Sequence, residues 1–162
     1  MRAISDQIDR ATLRTTLTFA AHPRVDLGVE YNPLAEEGQV APLANIRLVH
    51  ETRTRPALIL GTSSDRIGTP EGQSFYATLS KDLAPQIGLP VAPYVGVAYG
   101  TYEDTTRVIA GANIAFTKRL SSLLIFDGVH FHPTLNYFHG RHGVSLLMVR
   151  SQDPGVSYSV RF

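Results

Sequence analysis

Gly155-Val156-Ser157-Tyr158-Ser159-Val160-Arg161-Phe162 closes the chain and alternates without a break. Val156, Tyr158, Val160 and Phe162 fall on one face; Ser157, Ser159 and Arg161 fall on the other. A period of two means a β-strand with one apolar and one polar side. The sequence then stops on an aromatic ring, with no polar tail.

The same rhythm recurs upstream. Residues 144–150 form a strand ended by Gln152-Asp153-Pro154-Gly155, a turn by composition. Residues 129–138 set Phe131, Leu135 and Tyr137 against His130, His132, Thr134 and Asn136, just after the hairpin signal Asp127-Gly128. Residues 122–126 are a short apolar piece. Residues 107–117 oppose Val108, Ala110, Ala112, Ile114 and Phe116 to Gly111, Asn113 and Thr117. Residues 91–102, 73–81, 57–62, 43–52, 25–31 and 11–21 supply the remaining strands, with Gly, Pro, Asn and Asp between them. No segment reads as a helix of more than about two turns.

The closing strand resembles that of Gram-negative outer-membrane β-barrel proteins, which commonly end in alternating apolar and aromatic residues with a final Phe. The resemblance implies a barrel embedded in that membrane. It also implies that Tyr158, Val160 and Phe162 belong to the signal read by the barrel-insertion machinery.

Composition is compatible with that expectation. The chain has 162 residues, 43% hydrophobic and 18% charged, which suits one folded domain. No run of about 18 apolar residues exists, so a membrane-spanning helix is excluded, but a barrel is not. Net charge is +1, which points to no nucleic-acid partner. There is no Cys, hence no disulfide or thiolate chemistry. Residues 1–10 lack the apolar core of a signal peptide and read as a polar lead. The leader then precedes Met1, or residues 11–162 are the C-terminal part of a longer barrel, or the membrane expectation fails.

The expected fold is therefore all-β: an antiparallel up-and-down meander closed as a barrel of about ten strands, since single-chain bacterial barrels use even numbers. The short piece 122–126 is left out of that count. Alternation alone does not say which face is wet. Three features favour apolar faces turned to lipid: the small residues of the polar faces (Gly28, Gly96, Ala98, Gly100, Gly111), aromatics near strand ends, and the terminal Phe162. Partners would then be membrane lipid, lipopolysaccharide and the insertion machinery. The alternative is a soluble β-sandwich or lipocalin-like barrel that binds an apolar ligand.

In the membrane arrangement, charges inside a narrow lumen must pair. Arg14, Asp26, Glu30, Arg47 and Glu51 share the polar faces of neighbouring strands and are the expected lumen network, in a plugged or narrow barrel. His130, His132, His139 and His142 cluster in sequence, but no carboxylate or Cys set completes a metal site. Ser145 follows His142, and Ser121 and Ser122 precede the histidine hairpin, yet no nucleophile motif surrounds them. A lipid hydrolase or acyltransferase is the second alternative. The polar stretch 61–72 lacks the Gly-Lys-Ser/Thr ending of a phosphate loop. The expected role is structural, anchoring or porin-like transport, with no catalysis, cofactor or metal.

Overall fold

A computed structural model describes residues 1–4, 12–34, 39–66 and 69–162. Twelve strands run in chain order: β1 (Arg2–Ile4), β2 (Leu13–His22), β3 (Val25–Asn32), β4 (Gln39–Val49), β5 (Ala57–Ser64), β6 (Gln73–Ser80), β7 (Val91–Gly100), β8 (Thr105–Ala115), β9 (Leu120–Phe126), β10 (Phe131–His139), β11 (His142–Val149) and β12 (Asp153–Val160). One helical turn, α1 (Ala84–Ile87), sits between β6 and β7. Every strand pairs antiparallel with its sequence neighbours, and β1 joins β12, so the sheet closes on itself. Closure leaves no second sheet, which removes the sandwich alternative.

The count corrects the expected ten, for two reasons. β1 is three residues long, too short for a period to show, and it lies in what reads as the polar lead. Ser5 to Arg10 of that lead, with Ala11, lie outside the described residues, as do parts of the loops 33–38 (Ala35, Glu36, Glu37, Gly38) and 65–72 (Ile67, Gly68). β9 corresponds to the short piece 122–126. It does not alternate in sequence because its lumen-facing Ile125 is as apolar as the outward Leu124. Smaller differences fall at strand ends: β4 begins at Gln39, four residues before the expected Leu43, and carries Pro42 through the ladder opposite Val29.

Burial runs opposite to that of a water-soluble domain. The buried apolar residues are Ile4, Ala57, Leu147 and Val149, whereas Glu30, Asn32, Asp65, Thr69, Ser74, Asp127, His132 and Asp153 are all buried. Along β7, Val95, Val97 and Tyr99 are exposed and Gly96, Ala98 and Gly100 are not. Val156, Tyr158 and Val160 also point outward, and Phe162 is fully exposed. Every Asp, Glu, Lys or Arg lying in a strand has the inward parity. Arg14, Glu30 and Arg107 line the lumen. Asp26, Arg47, Asp153 and Arg2 sit opposite the inward Asn45, Ile59, Val149 and Arg14.

The two ends differ. At one end lie the connections that follow β3, β5, β7, β9 and β11. At the other lie both chain termini, the β2–β3 hairpin and the connections that follow β4, β6, β8 and β10. We call the first the clasp end and the second the terminal end.

Candidate functional site

The lumen contains a cavity of about 590 Å³ on the β2–β9 side. On the opposite side Ile4, Leu147 and Val149 pack together and fill the space. Leu43, Ile59, Ile109 and Ile125 make the cavity's apolar walls, and Tyr76 and Tyr94 add aromatic ones. Both tyrosine rings lie along the wall, not across the bore, because each covers a glycine of the next strand. A Cβ on Gly61 would fall 2.5 Å from the Tyr76 ring, and one on Gly111 would fall 2.5 Å from the Tyr94 ring. The Tyr76 hydroxyl donates to Asn45 Oδ1 at 2.7 Å, which fixes the ring in that position.

At the clasp end the cavity floor is charged. Arg14 Nη1 lies 2.8 Å from Glu30 Oε2 and donates to Ser64 Oγ at 3.2 Å. Glu103, in the β7–β8 turn, takes Arg66 on one side and Arg107 at 2.9 Å on the other. Those two guanidinium groups, Arg66 foremost, lower the Glu103 carboxyl to about 2. Glu103 in turn raises Arg66 above the ordinary arginine value. Asp65 accepts from the backbone N–H of Arg66 at 2.7 Å and of Tyr102 at 3.0 Å. Only glycine fits beside it at position 100, where a Cβ would fall 2.3 Å from the Asp65 carboxylate.

Two hairpins complete the floor. His132 is wholly buried on β10. Its Nδ1 receives the Arg150 backbone N–H at 3.1 Å, so that nitrogen carries no proton. The proton sits on Nε2, which donates to Asp127 Oδ2 at 2.9 Å. Asp127 also accepts from the N–H groups of Val129 and His130. Burial alone would raise its carboxyl; the His132 bond and these two N–H donors outweigh that and lower it. Arg150 and Ser151 hold left-handed backbone, with φ of 52° and 59°. That is costly for residues with a Cβ. It is held by the bond into His132 and by the Arg150 side chain, which reaches Asp153 at 3.1 Å. Arg14, Arg66, Arg107 and Arg150 are thus each matched to a carboxylate in a lattice drawn from every side of the barrel.

Of the expected lumen network, the structure brings Arg14 and Glu30 together. Asp26 and Arg47 share the inward parity but lie toward the terminal end, and Glu51 stands in the loop after β4, bonded to Lys81 at 2.6 Å. The histidines separate as well. His130 is in a turn, not beside His132 on a strand. His142 faces outward against the Tyr158 hydroxyl at 2.6 Å, whereas Ser145 faces the lumen opposite Ser157. Among the described residues no group of three or more His, Cys, Asp or Glu is placed to hold a metal ion. Asp65, Arg66, Glu103, Arg107, Asp127, His132, Arg150 and Asp153 are not in the expected network. Two usable signals were available: Arg107 has the parity of Gly111 and Asn113, and His132 that of Thr134 and Asn136, the polar faces of their strands.

Comparison with family models, with curated proteins and with solved structures finds no match.

Proposed function

We propose that the chain is a transmembrane β-barrel of the Gram-negative outer membrane, porin-like in build, whose lumen admits only small polar solutes past a charged constriction. The observation that carries this reading is the character of the outward face. Leu17, Phe19, Val29, Val95, Val108, Leu135, Leu146 and Tyr158 all lie open on it, and no Asp, Glu, Lys or Arg of a strand shares it. A soluble monomer rarely presents so much contiguous apolar surface. A face of this kind is what hydrocarbon requires, because a charge at the bilayer midplane is strongly unfavourable.

Dimensions support the same reading. Strands of 7 to 11 residues around most of the wall, tilted as barrel strands are, span about 18–28 Å, close to the apolar band of outer-membrane barrels. The ion-paired floor supports the narrow version: the clasp takes up bore that an open porin leaves free, and its charges are matched, as a lumen of low polarizability demands. Lipid and lipopolysaccharide would surround the wall, and the exposed Tyr158, Val160 and Phe162 would serve as the insertion signal. The proposal includes no catalytic step.

The test has two parts. Purified chain should need detergent to stay in solution, and should migrate on a gel at different positions before and after heating. In a planar bilayer it should give small, discrete conductance steps or none. A chain that is monodisperse in plain buffer sinks the membrane reading; a large, steady conductance sinks the narrow lumen.

A further inference from the structure

The lumen cavity is lined by two kinds of polar group. It runs from the ion-paired floor to Ser80, the last residue of β6, near the terminal end. Every ionised group among its described lining is engaged: Arg14 with Glu30, Arg66 and Arg107 with Glu103, and Asp127 with His132. Asp65 accepts from two backbone N–H groups, and Arg2 has a partner of its own. Asp26 and Arg47, nearer the terminal end, do not border the cavity. The hydroxyls of Thr78, Ser80 and Tyr94 do line it, yet none of them hydrogen-bonds to any described residue. Tyr76, by contrast, gives its hydroxyl proton to Asn45.

The free hydroxyls stand among apolar side chains. One ladder row across β5 to β8 reads Ile59, Thr78, Gly96, Ile109. The next inward row, across β6 to β9, reads Ser80, Tyr94, Gly111, Ile125. Each row sets hydroxyl beside isoleucine around a glycine that leaves the wall hollow. The Tyr94 ring lies over Gly111 with one face to the wall, so the other face looks into the bore. An ion placed here would leave water and find the lining charges already taken, which is strongly unfavourable. A body polar on all sides would bury hydroxyls against isoleucine without partners. A flexible chain would lose its own rotamer freedom. A flat neutral ring system avoids all three: it covers the isoleucines, stacks on the tyrosine face and needs one polar group to meet the hydroxyls.

We propose that the lumen is a binding site for a neutral fused-ring aromatic molecule carrying one hydrogen-bonding group, held above the ion-paired floor. The cavity of about 590 Å³ is of the size that small-molecule sites have. Hydroxyls both donate and accept, so an amide, which offers both, satisfies Thr78, Ser80 and Tyr94 best. The barrel closes around this cavity in any solvent, so the inference does not rest on the membrane reading.

The probe is naphthamide, titrated into the full chain in detergent micelles, corrected for micelles alone and followed by naphthalene fluorescence. Binding should saturate at one molecule per chain. Naphthoate and naphthylmethylammonium, with the same rings and opposite charges, should bind at least tenfold more weakly. Thr78→Val, Ser80→Ala and Tyr94→Phe combined should weaken naphthamide at least tenfold, since each lost neutral hydrogen bond is worth about 2- to 10-fold. The heat-shifted gel band should survive in that variant, because these hydroxyls hold nothing within the chain. Ile109→Trp, which fills the cavity, should abolish saturable binding, whereas Val108→Trp, on the outward face of the same strand, should leave it unchanged. No saturable binding, equal affinity for either ion, full affinity in the triple variant, or equal effects of the two tryptophans overturns the site. A chain that needs no detergent is titrated in buffer with the same outcomes, so this inference and the membrane reading fail separately.

Discussion

Arginine at position 95 separates lipid from water outside the barrel. Val95 is 52% exposed at the centre of β7. Its ladder neighbours are Leu79 and Ala110, both on the outward face, so no carboxylate is at hand there for a new cation. Position 95 lies four residues from Val91 and five from Gly100. With a tilted rise of about 2.5 Å per residue, that is roughly 10–13 Å from either strand end. An arginine side chain reaches only about half that distance, so it cannot bring its charge to the headgroups. Val95→Arg should then cost about 2–4 kcal/mol in a bilayer. Tyr99→Arg, one residue from the strand end, should cost about 0–1 kcal/mol, as charges near the interface do. In water both changes on an exposed face would stay within about 0.5 kcal/mol. The chain has no Trp, so reversible urea unfolding from phospholipid vesicles is best followed by circular dichroism and by the heat-shifted gel band. A loss below about 1 kcal/mol at position 95, or equal losses at 95 and 99, would falsify the lipid-facing assignment.

Other expectations follow from the clasp and the wall. The Glu103 carboxyl falls from 4.5 to about 2 on folding, and the Asp127 carboxyl is lowered from 3.8. A lowered folded value means stability that is complete above the unfolded value and disappears as pH falls through the folded one. Urea midpoints should therefore decline below about pH 4.5, and Glu103→Gln should flatten that decline by about 1–2 kcal/mol, allowing for solvent screening of a partly exposed pair. His132→Phe keeps the ring volume but leaves Asp127 and the Arg150 N–H short of a partner; a loss of about 3–5 kcal/mol is expected in urea unfolding, and a loss under 1 kcal/mol would show that the clasp does not hold the hairpins. Gly61→Val should push the Tyr76 ring off the wall, break its bond to Asn45 and cost about 1–3 kcal/mol. Any small-solute flux into vesicles should drop at least twofold in that variant; unchanged flux would mean the ring does not border the path.

Most of the wall is legible in the sequence because its two faces are chemically unlike. In β3, Val25, Leu27, Val29 and Tyr31 stand against Asp26, Gly28 and Glu30, and the period of two survives folding unchanged. Where both faces are apolar, as in β9, the period vanishes and so does the strand. The clasp is illegible for another reason. Asp65, Glu103 and Asp127 come from three separate connections and Asp153 from the first position of β12; each reads alone as an ordinary turn acid, and only ring closure brings them to one floor. Parity predicts face but not height. Asp26 and Glu30 share a face, yet four residues of strand put them about 13 Å apart, which is why Glu30 reaches Arg14 and Asp26 does not.

On the proposed membrane reading, where charge sits, and whether it is matched, follows from which solvent each part of the wall meets. The net charge of +1 conceals two unlike ends. At the clasp end the guanidinium groups of Arg14, Arg66, Arg107 and Arg150 each lie within 3.1 Å or less of a carboxylate. At the terminal end Arg24, Arg53, Arg55, Lys118, Arg119 and Arg141 are exposed on turns and loops. Water stabilises those six without help, so no matching is needed. Between the ends the outward face of the strands carries no Asp, Glu, Lys or Arg, although water would tolerate charge there as readily as at the terminal end. The proposed membrane placement accounts for a band without charge in the middle of the wall alone, because in hydrocarbon an unmatched ion finds neither water nor a partner.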